Sequence, residues 1–509
     1  MTTLARPDQD VLLRVTGLSK TFPGVRALDG VDLELRSGTV HALVGHNGSG
    51  KSTLIKSLSG FHRPDPGALF EWRDAAGAWR RSAAAGEVGS PIRVVHQNLG
   101  LVDGLSAVDN FALNGGFQPR RRGGIDWRAE RHAAKEAIAP FGVRLDLDVP
   151  VGRLTQVQQT LVAIAIALRG CAPGEGVLIL DEPTAVLPAK DARTLFATIA
   201  RLRAAGNAIL YVSHRLGEIF EISDTITVLR EGRRVATAPT TEITRSELVR
   251  LMLGENDGPT ERVARSGSEV AAIEVRDLRG RYLRGASFDV RRGEIVGFAG
   301  LPDDGREELP RVLGAGAAAS SGAVRVGGVG PWMSVRSWRR TGVGYVTGDR
   351  AREGAFPTMT VQENLTLSAL RSIGSRWLLT PRAERDFAAT WATRVGIARR
   401  RLSEHLDNLS GGNQQKAVIG RALAKEPTLL VMSEPTAGVD IGTRLKIFAL
   451  LAERAAAGLS IVVTSTDVDD LIALCDRVLV LQGGRVAGQL EGPRIDEPNL
   501  MRAMEGLGD

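Results

Sequence analysis

Two hydrophobic patterns alternate along this chain. Short unbroken apolar runs such as "HALV" (41–44), "VLILD" (177–181) and "AILYVS" (208–213) have the length and β-branched content of strands buried on both faces. Between them lie stretches with helical spacing, "QQTLVAIAIAL" (158–168) being the most apolar. Strands and helices in alternation predict an α/β protein whose sheets are largely parallel. The segment from about 98 to 165 reads as mainly helical and is a candidate helical subdomain.

The same pattern is written twice. "SGTVHALVGHNGSGKSTL" (37–54) and "RGEIVGFAGLPDDGREEL" (292–309) share a strand, loop, helix layout, with Gly300 255 positions after Gly45. "LTQVQQTLVAIAIAL" is echoed by "LSGGNQQKAVIGRAL", where Leu409 again follows Leu154 by 255. "VLILDEPTA" returns as "LLVMSEPTA", with Glu434 252 positions after Glu182. Three landmarks in one order at nearly one offset mean that a whole domain is duplicated. The expected domains are 10–253 and 271–506. The polar, Gly- and Pro-containing stretch 254–270 is the expected linker.

Bulk properties narrow the class without changing this picture. A chain of 509 residues is too long for one core. With 43% hydrophobic and 24% charged residues it reads as globular. No run of about twenty apolar residues is present to span a membrane, and "MTTLARPDQD" lacks the basic and apolar regions of a secretory signal. Cys171 and Cys475 are far apart, which argues against a disulfide framework or a zinc cluster. The net charge of +7 is mild and arginine-rich, as expected of a solvated surface.

The chemistry lies in the loops. "GHNGSGKST" fits G-x-x-x-x-G-K-[ST] over Gly45 to Ser52, after a strand and before a helix, which is the context a phosphate-binding P-loop requires. Its glycines, Gly45, Gly48 and Gly50, let backbone N–H groups turn toward phosphate oxygens at a helix N-terminus. Lys51 is placed to neutralise the β and γ phosphates of ATP, and the Ser52 hydroxyl to ligate Mg²⁺. Asn47 and Thr53 are counted to the same nucleotide site. Some 130 residues on, Asp181 and Glu182 end a buried strand. Asp181 is the expected Mg²⁺ partner and Glu182 the carboxylate that polarises the attacking water. His214, after the next strand, is a candidate contact for the γ-phosphate, and Gln97 of "VVHQN" for the metal or the water.

With these motifs the chain resembles an ABC-type ATPase, in particular the duplicated ATP-binding subunit of bacterial monosaccharide importers of the ribose, galactose and xylose class. The likeness takes in nearly the whole chain, including "GGIDW" (123–127) and "EPTAGVD" (434–440). It implies two tandem P-loop nucleotide-binding domains, each with a mostly parallel sheet core, an antiparallel β subdomain and a helical subdomain. It assigns Phe22 to adenine stacking, Gln97 to sensing of the permease and "LSGGN" to the signature loop. Domains of this type resemble one another in closing head to tail. Ser410, Gly411, Gly412 and Asp440 would therefore complete the ATP site of the first P-loop. The resemblance further implies integral-membrane permease subunits and, indirectly, an extracytoplasmic solute-binding protein as partners, with no nucleic acid. It puts the chain on the cytoplasmic face of the membrane. Import of a nucleoside or a signalling furanose remains an alternative, as does a soluble translation-factor ABC ATPase. The solute itself is not legible.

The complementary set of motifs is defective throughout. In the second P-loop Arg306 stands for lysine and Glu307 for the Mg²⁺ hydroxyl, with Asp303 and Asp304 in the loop. Ser433 replaces the Mg²⁺ aspartate, Gly348 takes the place of Gln97, and Thr466 that of His214. The first signature, "LTQVQ", has Gln156 and Val157 for its two glycines, and Pro188 stands where the second copy has Asp440. The expectation is one competent site and one silent one.

Overall fold

The computed structural model describes residues 10–254, 271–504 and 506, apart from 75–76, 86–89, 121–123, 172–173, 175, 185–186, 188, 214, 328–329, 331–341 and 374–378. All of the expected linker except Gly254 therefore lies outside the described residues. The chain divides into two compact units, Met1–Pro259 and Thr260–Asp509.

In unit 1 the strands are β1 (Val11–Phe22), β2 (Val25–Arg36), β3 (Val40–Val44), β4 (Leu69–Arg73), β5 (Trp79–Ser82), β6 (Ile92–Val95), β7 (Val177–Asp181), β8 (Ala208–Val212), β9 (Thr225–Arg230) and β10 (Arg233–Pro239). Its helices include α1 (Lys51–Leu58), α2 (Ala107–Gly115), α3 (Trp127–Ile138), α4 (Gln156–Ala167) and α5 (Ala189–Ala204). One sheet runs β10-β9-β3-β8-β7-β6, parallel except for the antiparallel edge β10. Every residue of β3 and β8 is buried, which explains why these runs are apolar without alternation. A second sheet, β2-β1-β4-β5, is antiparallel. It shows the expected alternation: on β1, Val11, Leu13 and Val15 are buried while Leu12, Arg14 and Thr16 are not. Its inner face packs with α1 and the parallel sheet through Leu28, Leu54, Phe70, Ile179 and Leu210. Helices α2, α3 and α4 form the helical segment expected between the P-loop and "VLILD".

Unit 2 repeats the plan. Its strands are β11 (Ala271–Arg279), β12 (Arg284–Arg291), β13 (Ile295–Ala299), β14 (Ser321–Val326), β15 (Val343–Val346), β16 (Leu429–Ser433), β17 (Ser460–Thr464), β18 (Arg477–Gln482) and β19 (Arg485–Glu491). The order β15-β16-β17-β13-β18-β19 matches the large sheet of unit 1, and β12-β11-β14 is the smaller antiparallel sheet. One part of the expected layout differs. The eight-residue α1 that follows the first P-loop has as its counterpart only the single turn Glu308–Pro310, which passes into a π-type turn over Arg311–Ala315. Pro310 lacks the N–H an α-helix needs at that point, and the chain winds wider instead.

Candidate functional site

β3 delivers Gly45 to the head of the parallel sheet, and close packing dictates glycine there: a Cβ would fall 2.3 Å from the Leu229 carbonyl and 2.4 Å from Ser49 Oγ. Gly50, the N-cap of α1, is left-handed at φ 104°, a conformation that side chains resist. The loop is drawn around its own lysine. Lys51 Nζ donates to the Gly45 carbonyl at 2.6 Å and to the His46 carbonyl at 3.1 Å. Asn47, Gly48 and Ser52 face solvent, and Thr53 is half-buried.

β7 lies one strand beyond β8 in the sheet order, so its end opens on the same side as the P-loop. The convergence shows in Asp181. Burial raises its pKa and the neighbouring Glu182 charge adds to the rise, while His96, Lys51 and Lys56 oppose it. Lys51 and Asp181, 130 positions apart in sequence, thus share one electrostatic neighbourhood. Glu182 sits at φ 50°, the left-handed region, pinned where its N–H donates to the Val212 carbonyl at 2.9 Å. A non-glycine residue held there turns its side chain away from the strand direction, a strain typical of functional turns. Ser52 and Asp181 are a hard-oxygen donor pair of the kind Mg²⁺ takes when phosphate supplies the remaining ligands, so the residues present fit that ion. Gln97 is exposed two residues past β6. His214 lies outside the described residues. Phe22 stands edge-on to His62 at 5.2 Å, with Lys20 Nζ 5.3 Å from its ring centre.

Sequence reasoning missed two features. His96 was not singled out, although it acts on Asp181. Glu218 was missed too: its carboxylate accepts from Thr184 Oγ1 (2.7 Å), Tyr211 Oη (2.7 Å) and Ser213 Oγ (3.0 Å). It thereby ties the loop after Glu182 to the end of β8 and to Ser213 just beyond it. The equivalent Asp470 in unit 2 accepts from Thr436 and Ser465 and pairs with Arg444 at 2.7 Å. A glutamate in the first turn of the helix after a strand carries no signal of this until the strand ends are brought together.

The two signature helices end differently. At α4 the Thr155 side chain accepts from the Gln158 N–H, and Gln158 Oε1 accepts from the Thr155 N–H at 2.9 Å, a closed capping box. At the helix Gly411–Leu423, Ser410 makes no side-chain cap and instead accepts from Asn413 Nδ2 at 3.1 Å. The first N–H groups of that helix have no partner among the described residues. One helix end is sealed by its own side chains and the other is open to an acceptor.

The second P-loop is occupied by its own residues. Asp304 accepts from the Gly483 N–H at 2.7 Å and from the Leu301 N–H at 3.2 Å, so its charge is spent on the loop. Arg306 is buried and donates to the Ser465 carbonyl at 3.4 Å. Glu434, at φ 46°, accepts from the Thr466 N–H (2.8 Å) and Thr466 Oγ1 (3.0 Å). Burial raises its pKa, and the Thr466 N–H and Arg306 partly offset the rise.

Residues 28–185 and 283–437 each match the family model described as ABC transporter. The chain belongs to the ABC transporter family. It is 39% identical over 504 residues to the ribose import ATP-binding protein RbsA 2 of Rubrobacter xylanophilus, covering 97% of this chain and 95% of that one. It is also 39% identical, over 502 residues, to a putative ribose/galactose/methyl galactoside import ATP-binding protein of Burkholderia lata, covering 96% of each. Among solved structures, the archaeal ribosome recycling factor aABCE1 in complex with stalk protein aP1 aligns at a TM-score of 0.62 over 98% of this chain and 93% of that chain, with 18% identity. At that identity the likeness concerns the fold alone. As an ABC ATPase the chain binds and hydrolyses ATP, and the glycine-lined loop with Lys51 in unit 1 has the form this requires. Among the described residues no helix is long and apolar enough to cross a membrane.

Proposed function

We propose that this ABC ATPase is the energy-coupling subunit of a monosaccharide importer. It works peripherally at the cytoplasmic face on separate permease subunits, to which an extracytoplasmic binding protein delivers the sugar. The observation that carries the reading is the 39% identity, over 97% of the chain, to a protein named for ribose import. ATP sits on the unit 1 P-loop, with Lys51 on its terminal phosphates, Ser52 and Asp181 toward Mg²⁺ and Phe22 against the base. Glu182 orients the water, aided by Gln97 and His214. Ser410, the N–H groups of Gly411 and Gly412, and Asp440 serve the same ATP; the uncapped end of helix Gly411–Leu423 supports this assignment. The closed capping box at Thr155 and the self-filled loop around Arg306 support a second site that does not hydrolyse.

The test is Glu182→Gln, measured for MgATP binding, for phosphate release and for uptake of labelled ribose in cells that co-express a ribose-type permease and its binding protein. Binding is expected to remain while turnover and uptake vanish. Uptake indifferent to Glu182 would remove the coupling role, and persistence of half the wild-type turnover would show that the second site hydrolyses.

A further inference from the structure

Arg350 opens a π-type turn, Arg350–Gly354, just past β15. Its guanidinium reaches the open signature loop. Nη2 lies 3.1 Å from where a Cβ on Gly411 would stand and 3.9 Å from where one on Gly438 would stand. Nη1 is 3.5 Å from Gln415 Oε1, a long contact to a side chain whose amide is already committed to the Pro435 carbonyl at 2.8 Å. The guanidinium thus lies beside both the loop that carries Ser410 and Gly411 and the loop that leads from Gly438 to Asp440. Glycine at 411 is what leaves room for it.

The carboxylates near it are engaged elsewhere. Asp349 caps its own turn by accepting from the Arg352 N–H at 3.1 Å. Glu353 accepts from Thr347 Oγ1 at 2.9 Å and pairs with Arg311 at 3.0 Å. Glu434 is held by Thr466. Among the described residues Arg350 therefore has no carboxylate partner. Burial alone lowers its pKa, and no counter-charge pushes it back up. Arg444 in the same unit is the contrast: it is more deeply buried but paired with Asp467 and Asp470 at 2.8 and 2.7 Å. A half-buried guanidinium without a counter-ion is held at a cost unless an anion arrives to meet it. The unpartnered N–H groups of the adjoining helix end have the same polarity.

We propose that Arg350 is a positioning residue for ATP hydrolysis: it fixes the signature loop against the Gly438 loop and adds a permanent positive charge behind the N–H groups that meet the terminal phosphate. The inference rests on the reading that the signature loop serves ATP. Ground-state affinity comes mainly from the P-loop, whereas negative charge on the phosphoryl oxygens is redistributed in the transition state, so the loss falls on kcat.

The experiment is steady-state ATPase of the full chain as wild type, Arg350→Gln, Arg350→Lys and Ser410→Ala, each with a thermal melt. Arg350→Gln should lower kcat roughly 10- to 100-fold, less than loss of a donor in direct contact, with KM for MgATP within about twofold. Arg350→Lys should recover several-fold of that loss, because it keeps the charge. Retention of kcat in Arg350→Gln overturns the proposal. So do equal losses in the Gln and Lys variants that track a lowered melt, since packing would then be the whole role. If Arg350→Gln fails to fold, the Lys variant still decides, because kcat indistinguishable from background in a folded Arg350→Lys overturns the charge role and partial activity supports it. Ser410→Ala separates the two levels. If it leaves turnover intact, the signature-loop reading fails and takes the proposal with it; if it lowers turnover while Arg350→Gln does not, only the role of Arg350 fails.

Discussion

Glu308 offers a direct measure of how far the second P-loop has become a structural part. Its carboxylate accepts three consecutive backbone N–H groups from the turn between β11 and β12: Arg281 at 2.7 Å, Tyr282 at 2.8 Å and Leu283 at 2.9 Å. Gly280 closes the arrangement, since a Cβ there would lie 2.2 Å from Glu308 Oε1. Glu308→Ala strands all three donors. Arg281 is exposed and water replaces the lost acceptor, but Tyr282 is half-buried and Leu283 buried. A hydrogen bond to a charged group is worth about 1.5–3 kcal/mol. Two inner bonds at the low end give about 3 kcal/mol, or roughly two decades in the local opening equilibrium. Hydrogen exchange read on a peptide spanning 278–286 should therefore accelerate about 100-fold in Glu308→Ala, with a smaller effect in Glu308→Gln, which keeps one acceptor oxygen. Gly280→Ala should reproduce the loss, and the double variant should add little to either single change, because both break the same contact. MgATP turnover should stay within about twofold. Unchanged protection in Glu308→Ala would refute the reasoning, and a collapse of turnover at full protection would show that this loop handles nucleotide after all.

Two further outcomes follow from buried groups. His41 lies on β3, with Nε2 2.7 Å from Thr227 Oγ1, and burial lowers its pKa from 6.5 to about 4. The unfolded chain takes up a proton below pH 6.5 and the folded one only near 4, so the contribution is complete above 6.5 and is lost as pH falls toward 4. It amounts to about 3 kcal/mol over that window. Denaturant midpoints of unit 1 should fall along this limb and His41→Asn should flatten it; an identical slope in the variant removes His41 as the cause. Arg306→Ala removes the cation beside Glu434 and should weaken unit 2 in the same titration while leaving turnover within about twofold. A loss of turnover as large as that from Lys51→Ala would mean that the second site works.

Most of the fold was legible because its determinants are local or repeat in sequence. Unbroken apolar runs mark strands covered on both faces, as the complete burial of β3, β8, β13 and β17 shows. The P-loop was legible for the same reason: glycines, lysine and hydroxyl lie within one turn of chain and act together. The signature of unit 2 was legible as a motif, but its defining physical property, an uncapped helix end, depends on Ser410 bonding to Asn413 where Thr155 bonds to Gln158. Contacts made across the sheet were not legible. Glu218 with Thr184 and Tyr211, Glu434 with Thr466, and Arg350 with Gly411 join residues brought together only when parallel strands align their C-terminal ends. Nor could the spelling of "GLPDDGREEL" say where its carboxylates point: Asp304 turns to Gly483 and Glu308 to the 281–283 turn, while Asp303 and Glu307 face solvent. Two α/β units, one with an intact P-loop and one with an altered loop, can be read from local pattern and repetition alone. Which charges are spent on the protein's own backbone, as Asp304 and Glu308 are, and which have no carboxylate partner among the described residues, as Arg350 has none, depends on distances across the fold that no local pattern encodes.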